Sequence, residues 1–171
     1  MGKRKRKWGD RSDGWRLRGL DPYDTVSPYI MVERCEAQNF FNDKFEISAA
    51  EAYIKQKKEK GMINFGIMHV LLAAYVRTVS QRPYLNRFLS GQKVYARNSI
   101  QVNMAVKHQL KPDETNTVIK VFFEPTDTAD EVYEKFSKTY SEAFAGGEND
   151  FDGTARILNY IPGLFKKFAV W

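Results

Sequence analysis

The fold is decided by residues 61–83, which read GMINFGIMHVLLAAYVRTVSQRP. Apolar side chains recur there at helical spacing, and other apolar residues occupy the remaining faces. The main stripe is formed by Ile67, Val70, Leu71, Ala74 and Val79. A helix that is apolar on several sides packs between layers of structure, and Pro83 cannot continue it. The pattern therefore predicts one long, buried helix over residues 64–82.

The sequence before this helix predicts two helices and a strand. A serine–proline pair, in which serine is a good N-cap and proline suits the first helical position, predicts a short helix over 28–38. Residues 39–47 predict a strand with Phe41, Phe45 and Ile47 on one side. The sequence SAAE at 48–51 is a capping box, which predicts a helix that ends at Gly61.

The sequence after the long helix is richer in strands. Residues 93–97 and 99–107 predict strands, and the second alternates apolar and polar side chains, which indicates one buried face. Residues 117–124 predict a third strand, antiparallel to the second because the connection is short. A capping box at 128–131 predicts a helix that ends at 146–147. The fold class is therefore α+β, with helices packed on a mixed or antiparallel-rich sheet.

The positive charge of the chain is concentrated at its N-terminus. Residues 1–18 contain eight of the 27 Lys and Arg residues and two of the 21 acidic ones, so this segment carries the whole net charge of +6. Without apolar periodicity, residues 1–19 predict a flexible basic arm ahead of a domain over 20–171. Weak, salt-dependent contact with a polyanion and an inert solubilising tail are both open interpretations. The residues expected to touch a polyanion are Lys3, Arg4, Lys5, Arg6 and Lys7.

The remaining composition predicts a cytoplasmic protein. Cys35 is the single cysteine, so an intramolecular disulfide is excluded, as is typical of a reducing compartment. The basic start is not followed by an apolar run, so no signal peptide is predicted. The longest apolar stretch, residues 65–76, is far shorter than the about 20 residues that a membrane span needs.

Side chains suited to catalysis are few. Of the two histidines, His69 lies within the apolar helix and is interpreted as a core residue rather than a catalytic one, and His108 follows a predicted strand. Neither has a second His or Cys at ligand spacing, so no metal site is predicted. Phosphate-loop and nucleophile-elbow motifs are absent from the sequence.

Five segments of the sequence nevertheless resemble one family, that of the chloramphenicol acetyltransferase relatives. They are IMVERCEAQNFF at 30–41, FEISAAE at 45–51, GMINFGIMHVLLAAY at 61–75, RPYLNRF at 82–88 and the run at 95–107. In that order they are similar to the opening helix and strand, a capped helix, the long buried helix, its proline stop and the next strand pair. The similarity over 20–171 is greatest to the catalytic domain of the acyltransferase component of 2-oxo acid dehydrogenases.

The resemblance implies a sandwich with a mixed sheet, usually trimeric, that moves an acyl group between coenzyme A or a lipoyl thioester and an acceptor. The family's catalytic base is a histidine in a His-His-x-x-x-Asp-Gly word near the C-terminus, and this sequence has no such word. No catalytic residue is therefore assigned, and the chain is expected to be the N-terminal portion of the fold and inactive alone. The alternative is a non-catalytic binding or structural module whose basic arm engages an acidic partner.

Three further expectations follow from the resemblance. Arg34 matches an arginine that braces the family's active-site region through an acidic partner, although an ordinary surface arginine is an equal alternative. Asn86 and Arg87 match a word interpreted as architectural. An apolar segment at the end of the sequence predicts self-association, as a trimer, or a complementary C-terminal half as partner. That segment contains Leu164, Phe165, Phe168, Val170 and Trp171.

Overall fold

The computed structural model describes residues 5–107, 117–144 and 160–162. It shows an α+β chain with four α-helices and five strands in these residues. The helices are α1 (Pro22–Ile30), α2 (Ser48–Glu59), α3 (Ile67–Gln81) and α4 (Ala129–Phe144), and the strands are β1 (Gly14–Arg16), β2 (Arg87–Ser90), β3 (Lys93–Arg97), β4 (Ile100–Val106) and β5 (Thr117–Phe123). Short 3-10 helices cover Arg34–Ala37 and Pro83–Asn86. No helix in the described part of the chain is long and apolar enough to cross a membrane.

The chain divides into two compact units. The first consists of Met1–Ile100 with Phe123–Ala129, and the second of Gln101–Phe122 with Asp130–Trp171. In the first unit, β3 is the centre of a three-stranded antiparallel sheet, flanked by β1 and β2. In the second unit, β4 and β5 pair as a two-stranded sheet, and α4 stacks its aromatic side chains along one face, with Phe136 and Tyr140 ring centroids 6.3 Å apart.

Helix α3 has its buried stripe on a different face from the predicted one. The buried residues are His69, Leu72, Val76 and Val79, and only the last belongs to the predicted stripe. The prediction that this helix is buried between layers is wrong for the described chain, because Met68, Leu71 and Tyr75 are about half exposed. On the buried face, Nδ1 of His69 accepts the amide of Gly66, the residue before the helix. The predicted end is confirmed, since α3 stops two residues before Pro83.

The region before α2 differs most from its prediction. Helix α1 begins six residues earlier than predicted, because the carboxylate of Asp21 accepts the Tyr23 amide at 2.9 Å and caps it, and Pro28 lies inside the helix. Residues 38–47 have no regular secondary structure and are exposed, so the predicted strand is wrong. The predicted box at 48–51 does not form either, since Ile47 is the N-cap and the Ser48 amide donates to Glu46 instead.

The later elements follow their predictions closely. Gly61 ends α2 with φ +98°, which a residue with a side chain rarely adopts. Strand β3 has the predicted bounds, β4 and β5 differ by one residue at their ends, and α4 begins one residue after the start of its predicted capping box. The predicted helix end at 146–147 and the apolar segment at 164–171 lie outside the described residues.

Candidate functional site

Residues 5–18, which we call the cationic turn, form a fixed structure on the three-stranded sheet. The Asp10 amide donates to the Lys7 carbonyl oxygen at 3.0 Å, and Gly9 has φ +81°, the value that the third position of a type II turn requires. Trp8 occupies the second position of this turn. Its side chain is 95% exposed, so it stands at the tip of the turn with no role in the core.

The carboxylate of Asp10 organises the turn. Its side chain is only 3% exposed, and it accepts the Lys7 amide at 2.9 Å and the Arg16 amide at 3.1 Å. The Arg18 guanidinium donates to the same carboxylate at 3.0 Å. The amide of Lys7 lowers the pKa of Asp10 below its usual value of 3.8, against the effect of burial, and the partners Arg16 and Arg18 act in the same direction. Asp10 is therefore the anionic centre about which the basic residues are arranged.

Two of the arginines act as braces rather than as free cations. Arg18 donates to the carbonyl oxygen of Trp8 at 2.7 Å, which fixes the backbone of the turn tip. Arg6 donates from Nε and Nη2 to the carbonyl oxygen of Asp10, at 3.2 and 3.0 Å. Because guanidinium groups hold both ends of the tip, the position of Trp8 is defined by the fold.

Strand β1 anchors the cationic turn to the sheet. Gly14 pairs with Arg97 in antiparallel register, and a Cβ atom on Gly14 would lie 2.6 Å from the carbonyl oxygen of Ala96 and 2.8 Å from the Phe88 ring. Only glycine fits this approach of the two backbones. The guanidinium of Arg97 lies 4.4 Å from the Phe88 ring centroid, and that of Arg11 lies 5.6 Å from it.

An open cleft of about 270 Å³ lies beside the turn. Cationic, polar and aromatic groups line it together, which is a composition suited to an anion attached to a flat ring. Its lining residues are Lys5, Arg6, Asp10, Arg11, Ser12, Gly14, Trp15 and Asn98. Arg11 is partly neutralised, because its Nε donates to Asp13 at 2.8 Å.

The structure brings three of the predicted polyanion contacts together in this site, namely Lys5, Arg6 and Lys7. Lys3 and Arg4 lie outside the described residues. The buried carboxylate and the pairing of β1 with β3 give residues 5–18 hydrogen-bond partners that the composition does not reveal, whereas the flexibility of an arm over 1–19 stays a prediction. Sequence reasoning missed the roles of Trp8 and Asp10, although the Gly9-Asp10 pair is a turn signal that could have indicated them.

Arg34, the predicted brace of an active site, lies at the start of the 3-10 helix Arg34–Ala37. Its side chain lies outside the description, so its role as a brace stays a prediction.

His69 has a structural role. Its Nδ1 atom accepts the amide of Gly66 at 3.1 Å, which satisfies a donor at the start of α3, and its ring stacks on Phe65 with centroids 5.4 Å apart. Burial lowers the pKa of His69 from its usual value of 6.5. The imidazole is thus held neutral with Nδ1 occupied, as predicted for a core histidine.

Metal ligands are not clustered in the part of the chain that the structure describes, where no group of three or more His, Cys, Asp or Glu residues could hold an ion. His108 lies outside it.

No protein family, curated protein or solved structure matches this chain.

Proposed function

We propose that the chain carries the front portion of a chloramphenicol-acetyltransferase-like layered fold, and that it serves coenzyme-A-dependent acyl transfer as framework rather than as catalyst. The words that carry the resemblance lie on elements of the expected kind from residue 61 onward. GMINFGIMHVLLAAY enters α3, the proline stop follows it, and RPYLNRF leads into β2. The words at 30–41 and 45–51 support the proposal less, because the strand expected between them is absent.

One contact carries the proposal. The Asn86 side-chain nitrogen donates to the carbonyl oxygen of Ser99 at 2.9 Å, across 13 residues of sequence. It thereby ties the connection after α3 to the residue that precedes β4. This is the architectural task that the resemblance assigns to the Pro-x-Leu-Asn word, and it supports the family on a contact rather than on composition.

The histidines of the chain support the proposal that it is framework and does not supply the catalytic base. An acyl transfer of this kind needs a base within hydrogen-bond reach of the attacking hydroxyl or thiol, and such a base contributes about 10²–10⁴-fold to the rate. His69 is committed to Gly66 and Phe65, and the sequence has no His-His-x-x-x-Asp-Gly word. In this proposal a complementary segment or subunit supplies the base. In this proposal Arg34 braces the completed site.

A fusion tests this proposal. The C-terminal third of a family member, with its His-His-x-x-x-Asp-Gly word, is joined after Trp171, and release of coenzyme A from acetyl-coenzyme A is followed by chromatography with chloramphenicol and dihydrolipoamide as acceptors. We expect turnover by the fusion, none by the chain alone, and loss of turnover when the appended catalytic histidine is changed to alanine. A fusion that unfolds cooperatively but has no turnover contradicts the proposal, as does turnover by the chain alone that His69→Ala abolishes.

A second candidate function is favoured by the cationic turn, namely binding of an acidic partner. Residues 5–18 contain six basic and two acidic residues, a formal charge of +4, and the fold holds them in one place. Lys5 and Lys7 are exposed. Retention on immobilised heparin tests this function: Lys5→Ala/Lys7→Ala should elute at lower salt, whereas the matched control Lys55→Ala/Lys58→Ala, with the same loss of charge on α2, should elute with the parent. Equal elution of all three proteins contradicts it.

A further inference from the structure

We infer that the cationic turn binds single-stranded nucleic acid, with Trp8 as the platform on which one base stacks and with Lys5 and Lys7 as phosphate contacts. This inference rests on the second candidate function and names the chemistry of its partner. It begins from Trp8, which is the most exposed large apolar side chain among the described residues.

The fold positions Trp8 without using it. A tryptophan gains more from burial than almost any other side chain, yet this one stands 95% exposed on a turn that Gly9, Arg18 and Asp10 hold in shape. Its indole faces are therefore accessible at a fixed place on the surface. A single aromatic face presented in this way among cations is the element on which proteins stack unpaired bases.

The cations beside Trp8 divide into two groups. The guanidinium groups of Arg6 and Arg18 donate hydrogen bonds to backbone and carboxylate oxygens within the turn. Lys5 and Lys7 lie on either side of Arg6 in sequence and are exposed, and their side chains make no ion pair with another described residue. The internal partners of the arginines make the scaffold, and the lysine ammonium groups remain available to phosphate oxygens.

The cleft beside the cationic turn provides room for a phosphate. Its volume of about 270 Å³ exceeds the about 30 Å³ of one water several-fold, and Lys5, Arg6 and Arg11 line it with positive charge. Trp15 also lines this cleft and adds an aromatic side chain to its wall. An alternation of aromatic and cationic groups corresponds to the alternation of bases and phosphates along a strand.

The surroundings of Trp8 favour a single strand over a duplex or a membrane. Bases inside a duplex are already stacked, so an indole on a short turn cannot reach their faces. Insertion into a bilayer needs a contiguous apolar surface, whereas the other residues of 5–13 are Lys, Arg, Gly, Asp and Ser. One ring with cations around it is sufficient for stacking and insufficient for insertion.

The test measures the affinity of the chain for a fluorescein-labelled 15-mer of thymidylate by fluorescence anisotropy at 50 mM salt, with heparin as a polyanion that has no bases. Trp8→Ala should weaken binding of the 15-mer about 5- to 150-fold, the range that loss of one stacked base produces. Trp8→Phe should recover much of it. Trp8→Ala should leave heparin binding unchanged, and Phe40→Ala, which removes an aromatic residue that is 93% exposed elsewhere, should change neither.

The lysines are tested through salt. For single strands the slope of log affinity against log salt is about −0.7 for each phosphate contact. We expect Lys5→Ala/Lys7→Ala to make the slope shallower by about 1.4 and to weaken heparin binding as well, whereas Lys55→Ala/Lys58→Ala leaves the slope as it is.

The outcomes separate the inference from the function on which it rests. If Trp8→Ala binds the 15-mer as tightly as the parent while the lysine variant loses both ligands, stacking is overturned and binding of an acidic partner stands. If the lysine variant binds both ligands like the parent, both ideas are overturned. If Trp8→Ala loses binding to phosphatidylserine vesicles but not to the 15-mer, the surface is a membrane contact and the inference is wrong.

Discussion

The cationic turn and residues 38–47 are both exposed segments of similar length, yet their backbones are in opposite situations. In the turn, one carboxylate and two guanidinium groups satisfy the backbone, and β1 pairs with β3. In residues 38–47 the side chains of Phe40 and Phe41 are 93% and 89% exposed, and the hydrogen bonds to described residues lie at Gln38, Lys44, Glu46 and Ile47. Side-chain hydrogen bonds and strand pairing, rather than apolar content, therefore hold the backbone of the cationic turn.

Gly14→Ala should have the largest effect on this comparison, because it separates the cationic turn from the sheet. The new Cβ would lie 2.6 Å from the Ala96 carbonyl oxygen, so β1 must move away from β3. We expect a loss of about 2–3 kcal/mol in the free energy of unfolding, measured in urea. Gly19→Ala is the control: nothing lies within 4 Å of its Cβ, so its change should stay within about 0.5 kcal/mol. Equal stability of both variants would show that β1 does not anchor the turn.

Asp10→Asn should loosen the turn without removing its shape. The Lys7 amide and its other partners favour the ionised carboxylate, so its folded-state pKa lies below the usual 3.8. Stability from this group is complete above pH 3.8 and is lost as the pH falls through the lower, folded-state value. We expect the variant to be less stable at neutral pH and to converge with the parent as acid is added, in thermal unfolding between pH 2 and 7. A constant difference across that range would contradict the role of the charge.

His69→Ala tests whether a side-chain cap also matters in the buried part of the first unit. The Gly66 amide would lose its acceptor and Phe65 its stacked ring, which predicts a loss of about 1–2 kcal/mol at pH 8. Burial lowers the folded-state pKa of His69, so the parent should lose this contribution as the pH falls below 6.5. The difference between the two proteins in urea should therefore shrink towards pH 5. A difference that grows in acid would mean that the folded state favours the charged imidazole.

The smallest effect on stability is expected in residues 38–47. Phe40→Ser/Phe41→Ser removes two rings that bury almost no area, so the free energy of unfolding should change by about 0.5 kcal/mol or less. Binding of a hydrophobic dye should fall, because these rings are a prominent part of the exposed apolar surface. Unchanged dye binding with a large loss of stability would show that the segment packs in solution and would reverse the comparison.

The sequence predicted the elements whose signals are local. Helix α3 before Pro83 and strand β3 came within a few residues of their predicted bounds, and helix α4 begins one residue after the start of its predicted capping box. Strands β1 and β2 are three and four residues long and exist because they pair with β3, which no periodicity reveals. The segment 39–47 has the sequence pattern of a strand, but it pairs with no strand among the described residues.

The sequence likewise predicted only part of the candidate site. The run of Lys5, Arg6 and Lys7 indicates a cationic surface directly from charge. That Asp10 would be buried, and that Arg16 and Arg18 would return to it from eight residues or fewer along the chain, depends on the folded geometry of β1. In the sequence, Asp10 only lowers the net positive charge of this segment. In the structure, its carboxylate also positions the basic residues that bind it.

The pairing of β1 with β3 also determines how the chain would behave if it were cut. A protease cleaves first in an exposed stretch with few hydrogen bonds. Chymotrypsin, which cleaves after aromatic residues, is therefore expected to cut after the exposed Phe40 or Phe41. Because Gly14–Arg16 lies against Tyr95–Arg97, the severed N-terminal piece stays seated in the sheet. We therefore expect the nicked protein to elute from a sizing column as one particle and to separate into two polypeptides only in denaturant.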